Sequence, residues 1–186
     1  MSRLPKILRT EIVASSRLFK IEQLELEFSN GVTAQYERLL GSPYGAVLIV
    51  PMLKDDTVLL IREYAAGLHR YELGLPKGKV ERGEDMLVAA NREIQEEIGY
   101  ASGKLELLQS ISLAPGYLSH TTHIILATEL YDSRVEGDEP EEIEVVPWSL
   151  HQLDELFLRD DFTEARSIAA LYMVRDQLLK EPLINS

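Results

Sequence analysis

Three carboxylates dominate one short stretch of this chain: Glu93, Glu96 and Glu97, in the run Arg92-Glu93-Ile94-Gln95-Glu96-Glu97-Ile98-Gly99. On a helix turning about 100° per residue, Leu87, Ala90, Ile94 and Ile98 form one apolar stripe, and the three glutamates crowd one turn beside it. Like charges at i, i+4, as at Glu93 and Glu97, repel by a few tenths of a kcal/mol. By itself the run equally describes a solvated acidic face. Its chemical reading is a site for a hard divalent cation, because carboxylates without Cys or His suit Mg²⁺ or Mn²⁺.

The surrounding spacing favours the chemical reading. Gly78 is followed after five residues by Glu84, and after seven more by Arg92-Glu93, Glu96-Glu97 and Gly99. At about one-in-fifteen usage each, seven such identities coincide roughly once in 10⁸ starting positions. Gly78 and Gly83 let the loop fold back on the helix start, and Arg92 can orient a neighbouring carboxylate.

This pattern resembles the box of the Nudix hydrolases. Tyr100 is the one departure, at a position where that family usually has an aliphatic residue. The resemblance implies an α/β fold, the Nudix α/β/α sandwich with a mixed sheet. It also implies a hydrolase that cleaves a nucleoside diphosphate linked to a group X. Cations held by Glu93, Glu96 and Glu97, and by the backbone carbonyl of Lys77, would bridge the diphosphate and acidify water. Gly78, Glu84, Arg92 and Gly99 would support those ligands, Glu84 from a second layer or as a helix cap.

Within the superfamily, Tyr71-Glu72-Leu73-Gly74-Leu75-Pro76-Lys77-Gly78 resembles the segment before the box in ADP-ribose pyrophosphatases. Pro115, fifteen residues beyond the box, resembles their proline marker, with Gly116 beside it. Ser16-Arg17-Leu18-Phe19, Ile61-Arg62-Glu63-Tyr64-Ala65 and Glu136-Gly137-Asp138-Glu139-Pro140-Glu141 are similar to the bacterial ADP-compounds hydrolases, from about residue 8 to 180. The implied substrates are ADP-ribose, NADH and short diadenosine polyphosphates. The rivals are a Nudix hydrolase of a sugar nucleotide or nucleoside triphosphate, and a sensor that binds without cleaving. Glu141, then Glu139, is the implied general base, from a loop with six acidic residues between Glu136 and Glu144. Arg38 aligns with an arginine that faces adenine, and Arg62 is a candidate for a phosphate oxygen. Ala65 stands where the family has a further arginine.

Elements must position these groups. Asn30-Gly31 between alternating segments signals a β-hairpin, and a parity change after Ile21 predicts a bulge near Glu22-Gln23. Residues 1–44 are expected to form this hairpin subdomain, which in the family exchanges across a homodimer, and residues 45–186 the hydrolase domain. Ala46–Val50 and Thr57–Ile61 read as buried strands, and the glycines at 74, 78 and 83 as a loop. One helix is expected from Asp85 to Ile98, another from Thr163 to Lys180, and strands at Leu105–Leu113 and Thr122–Leu130.

Composition sets the limits. The 186 residues carry a net charge of −12 and no cysteine, which excludes a disulfide scaffold, a Cys-zinc site and a thiol nucleophile. The acidic balance argues against a nucleic-acid partner. Without a run of roughly 20 apolar residues, or a signal-peptide pattern, the expectation is a cytoplasmic protein with no membrane partner.

Overall fold

The computed structural model describes residues 3–54, 56–137 and 139–178. They form two compact units. One comprises the described residues up to Gly45 with Ser112–Thr121; the other comprises Ala46–Ile111 with those from Thr122 onward.

The first unit is an antiparallel sheet of β1 (Lys6–Ser15), β2 (Lys20–Glu27) and β3 (Thr33–Leu40), joined in parallel by β9 (Leu118–Ser119). The Asn-Gly turn closes the β2–β3 hairpin as expected. Gly31 sits at φ +80°, and the Val32 N–H donates to Asn30 Oδ1 at 3.1 Å. β1 was not foreseen, because its apolar residues fall in pairs rather than alternating. The bulge is corrected too. β2 pairs with β3 without a break, and the extra residues, Leu8 and Val13, lie on β1. Phe19 precedes β2, so its parity marks no strand face. The irregularity falls on the edge strand, which loses least hydrogen bonding to it.

The second unit has a mixed sheet in the order β11-β5-β4-β10-β8. Its strands are β4 (Ala46–Lys54), β5 (Thr57–Ala65), β8 (Tyr100–Ser112), β10 (Thr121–Asp132) and β11 (Glu144–Ser149). β4 and β10 are parallel, and the pairs β4–β5 and β5–β11 are antiparallel. Alternate residues of each central strand enter different cores. Val47, Ile49, Leu59, Ile61 and Ile125 pack with Ala89, Ala90 and Ile94 of α1 (Met86–Glu97). Leu48, Val50, Leu60, Ile124 and Leu126 pack with Leu153 and Leu156 of α2 (Leu153–Phe157) and with Leu171 and Val174 of α3 (Ala165–Leu178). This is the expected α/β/α sandwich, and the continuous apolar runs exist because both sheet faces are covered.

The glycine-rich stretch is not all loop. β6 (Arg70–Gly74) pairs with β5, and β7 (Lys77–Lys79) pairs with β4. Strands of five and three residues are too short to show a period in sequence. The bend between them is tied to α3, where the Leu75 N–H donates to Ser167 Oγ at 3.1 Å. Helix α1 ends as expected: Asp85 caps it by accepting from the Leu87 N–H at 2.8 Å, and Gly99 follows at φ +77°. The expected end of the last helix at Lys180 lies outside the described residues, as does Asp138 of the acidic loop. Among the described residues no helix is long and apolar enough to cross a membrane.

Packing on α1 sets a stability contrast. Ile94 is fully buried and Val88 is 59% exposed. Ile94→Ala should cost about 2–5 kcal/mol in urea unfolding, while Val88→Ala should stay within about 0.5 kcal/mol.

Candidate active site

Helix α1 presents Glu93 and Glu97 toward β7, and both are nearly buried, at 9% and 6% exposure. Ionised carboxylates at that depth need partners. Arg92 supplies most of them. Its guanidinium grips Glu84 with two hydrogen bonds, Nε to Oε1 at 3.0 Å and Nη2 to Oε2 at 3.1 Å. Its Nη1 donates to Glu93 Oε1 at 2.8 Å and to Glu96 Oε2 at 3.2 Å. Nη2 also reaches the Lys79 carbonyl at 3.1 Å. Planar geometry with five donors suits arginine to this role and excludes lysine. The contact with Arg92 lowers the Glu84 pKa, and the carboxylates raise that of Arg92.

Glu97 is held differently. The Lys77 backbone N–H donates to its Oε2 at 3.0 Å, while the Lys77 ammonium pairs with Glu63. Burial pushes the Glu97 carboxyl up to about 8, against the lowering effect of Lys77. Gly78 is required by proximity rather than by backbone angle. A Cβ there would fall 1.8 Å from Glu93 Cδ, so the carboxylate occupies the space a side chain would take. Gly83, by contrast, is at φ +82° with open space around it. Arg134 lies over Gly99, at 3.0 Å from the place of a Cβ.

These groups line a cavity of about 1090 Å³ that also receives Glu139 and Glu141 of the acidic loop. Box glutamates 93, 96 and 97 thus share one cavity with both candidates for the base, while Glu84 and Gly99 stand behind it. Glu63 and Arg134 line it as well, and Glu141 accepts from the Tyr71 hydroxyl at 2.7 Å. Sequence reasoning did not single out these three, since a lone Glu, Arg or Tyr carries no spacing signal. A smaller cavity of about 370 Å³ adjoins, with Arg62, Tyr64 and Tyr71 in its wall. Arg62 is committed to Asp161 at 2.6 Å and Glu144 at 2.9 Å. In the first unit, Arg38, Pro115 and Gly116 come together around a separate cavity of about 250 Å³, with Tyr36 and Tyr117. Arg38 is paired there with Glu22 at 2.7 Å.

Residues 43–171 match the NUDIX domain. The chain is a member of the Nudix hydrolase family. Residues 5–38 match the NudE-type Nudix hydrolase N-terminal domain. The chain is 47% identical to the ADP compounds hydrolase NudE of Escherichia coli (strain K12), over 94% of this chain and 93% of that one. It is 27% identical to the ADP-ribose pyrophosphatase of Bacillus subtilis (strain 168), over 96% and 95% of the two chains. A crystal structure of an ADP compounds hydrolase superposes with a TM-score of 0.89 at 46% identity, covering 96% of each chain.

Nudix hydrolases work with divalent cations, and the donor set of this cavity is all oxygen, which suits such ions. Among the described residues no three acidic or histidine groups are already gathered as a finished ligand set. Arg92 and the Lys77 amide hold the carboxylates instead, so a cation would compete with these partners. The Nudix glycine at position 78 gives a direct test. Gly78→Ala should displace the Glu93 carboxylate and lower kcat by about 10²-fold or more, with the circular-dichroism spectrum of the wild type retained.

Proposed function

We propose that this Nudix hydrolase cleaves the diphosphate of ADP-containing compounds (ADP-ribose, NADH and diadenosine polyphosphates), releasing AMP and the phosphate of X. The observation that carries this reading is the convergence of Glu93, Glu96 and Glu97 on the cavity that also holds Glu139 and Glu141. The likeness to an ADP compounds hydrolase over nearly the whole chain supports the choice of substrate class.

In this reading Glu93, Glu96, Glu97 and the Lys77 carbonyl would hold Mg²⁺, or Mn²⁺ in its place, which when bound would supply charge neutralisation of the diphosphate and a more acidic water. Glu141 takes the proton from the attacking water, with Glu139 as the second candidate. Arg92 keeps Glu93 and Glu96 oriented and is itself held by Glu84. Catalysis then rests on positioning and fixed charge. Arg38, Pro115 and Gly116 are assigned to the adenine half, where a guanidinium can stack on the ring. Arg62 is assigned to the X half at the smaller cavity.

Substrate recognition is tied to assembly. Residues 1–44 form a dimerisation subdomain in this reading, and a second copy of the chain covers β1. Every residue of β1 is exposed, Ile7, Leu8, Ile12 and Val13 among them. An apolar edge strand left bare is a template for pairing. Light scattering should return twice the 21.1 kDa chain mass, and replacing Ile12 and Val13 by Lys should shift the protein to monomer.

The activity test is AMP release from ADP-ribose, NADH, diadenosine triphosphate and ATP, each with Mg²⁺ and with EDTA. Release from the first three, abolished by EDTA and absent with ATP, is the expected result. Release from ATP alone, or ADP-ribose binding without turnover, would overturn it. Glu97→Gln should keep the fold and lower kcat by about 10³-fold, and wild-type turnover in that variant would remove the metal assignment.

A further inference from the structure

Glu141 is tied to an aromatic group that belongs to a distant part of the chain. Tyr71 lies on β6, 70 residues before it, and donates its hydroxyl hydrogen to Glu141 Oε1 at 2.7 Å. That bond raises the Tyr71 pKa, so the phenol stays a donor throughout the neutral range.

The ring of Tyr71 is itself braced. It meets Tyr64 edge-on, with centroids 5.8 Å apart and planes at 66°. Tyr64 in turn meets His69 at 5.9 Å and 86°, and its hydroxyl lies 2.6 Å from His69 Nδ1. His69 adopts φ +53°, a left-handed conformation that few residues other than glycine take up. Its N–H closes the turn by donating to the Ala65 carbonyl at 2.9 Å. The end of the β5–β6 hairpin is thus a built aromatic wall rather than a loose loop.

With the bond in place, Glu141 still lines the cavity that contains Glu93, Glu96 and Glu97. A glutamate on an acidic loop samples many rotamers, and neighbouring carboxylates repel it. One strong hydrogen bond to a charged acceptor removes that freedom. We propose that Tyr71 is a positioning residue for the reaction, which occupies one oxygen of Glu141 and leaves the other directed to the proton of the attacking water. The inference rests on the reading of Glu141 as the base.

The experiment compares Tyr71→Phe, Glu141→Gln and the double variant on ADP-ribose with saturating Mg²⁺, following kcat, KM and melting temperature. Glutamine keeps an oxygen that can accept from Tyr71 but cannot take a proton. Glu141→Gln is expected to lower kcat by on the order of 10²-fold or more. Tyr71→Phe is expected to lower kcat about tenfold, the scale of one hydrogen bond to a charged group, with KM and melting temperature unchanged. The double variant is expected to be no slower than Glu141→Gln, because no base then remains to be positioned. Wild-type kcat in Tyr71→Phe beside an impaired Glu141→Gln would overturn this inference and leave the base assignment standing. A rise in KM at constant kcat, or losses that multiply in the double variant, would overturn it as well. Wild-type kcat in Glu141→Gln would remove the base assignment and this inference together.

Discussion

Negative charge has to be concentrated on one turn of helix and kept there. Glu93 and Glu97 lie one turn apart and nearly out of solvent, so their ionised forms repel and would destabilise the helix if nothing answered them, and burial already pushes the Glu97 carboxyl up to about 8. Arg92 answers for Glu93 and Glu96, and the Lys77 amide for Glu97. Glu84 completes the arrangement from outside the cavity by holding the far side of the guanidinium. The remainder of the second unit keeps these partners in register. β7 must bring Lys77 and Gly78 against α1, and it does so because it is hydrogen-bonded to β4, the most buried strand of the sheet.

Burial and reactivity come from the same contacts. The two cores on either face of the sheet leave β4 and β5 no freedom to slide, since a shift of one residue would exchange the α1 face with the α2–α3 face. A rigid platform of that kind can hold carboxylates against their repulsion. The acidic loop is different in character. Its residues are largely exposed, and its contacts include Tyr71 to Glu141 within it and Arg62 to Glu144 at its end. The site therefore pairs a nearly buried half on α1 and β7 with a largely exposed half on the loop. Such an arrangement suits a reaction that must admit a highly charged substrate to an acidic chain.

Much of the fold was legible in the residues. Continuous apolar runs at Ala46–Val50 and Thr57–Ile61 announced strands covered on both faces, and Asn30-Gly31 announced a hairpin. Helix α1 could be read almost to its ends from Asp85, Gly99 and the apolar spacing, because caps and period are local features. β6, β7 and β1 were not legible. The first two are too short for a period to emerge, and β1 carries paired rather than alternating apolar residues. The displaced bulge has the same origin: parity in one strand does not say which of two partners absorbs an extra residue.

For the site, the sequence by itself determined the family, because seven identities at fixed spacing all lie on one loop and one helix. The resemblance also pointed to the acidic loop for a base, with Glu141 ahead of Glu139. Only the tertiary structure decided what stands around them. Glu63 and Arg134 reach the cavity, and Tyr71 reaches Glu141 from the smaller cavity beside it, through strand pairing and chain reversals that leave no local trace. The need for glycine at position 78 also changed meaning. From sequence it was a flexible loop residue, whereas in the fold it is the space that the Glu93 carboxylate fills. Local spacing can encode which atoms are available, but which of them meet is set by packing across tens of residues.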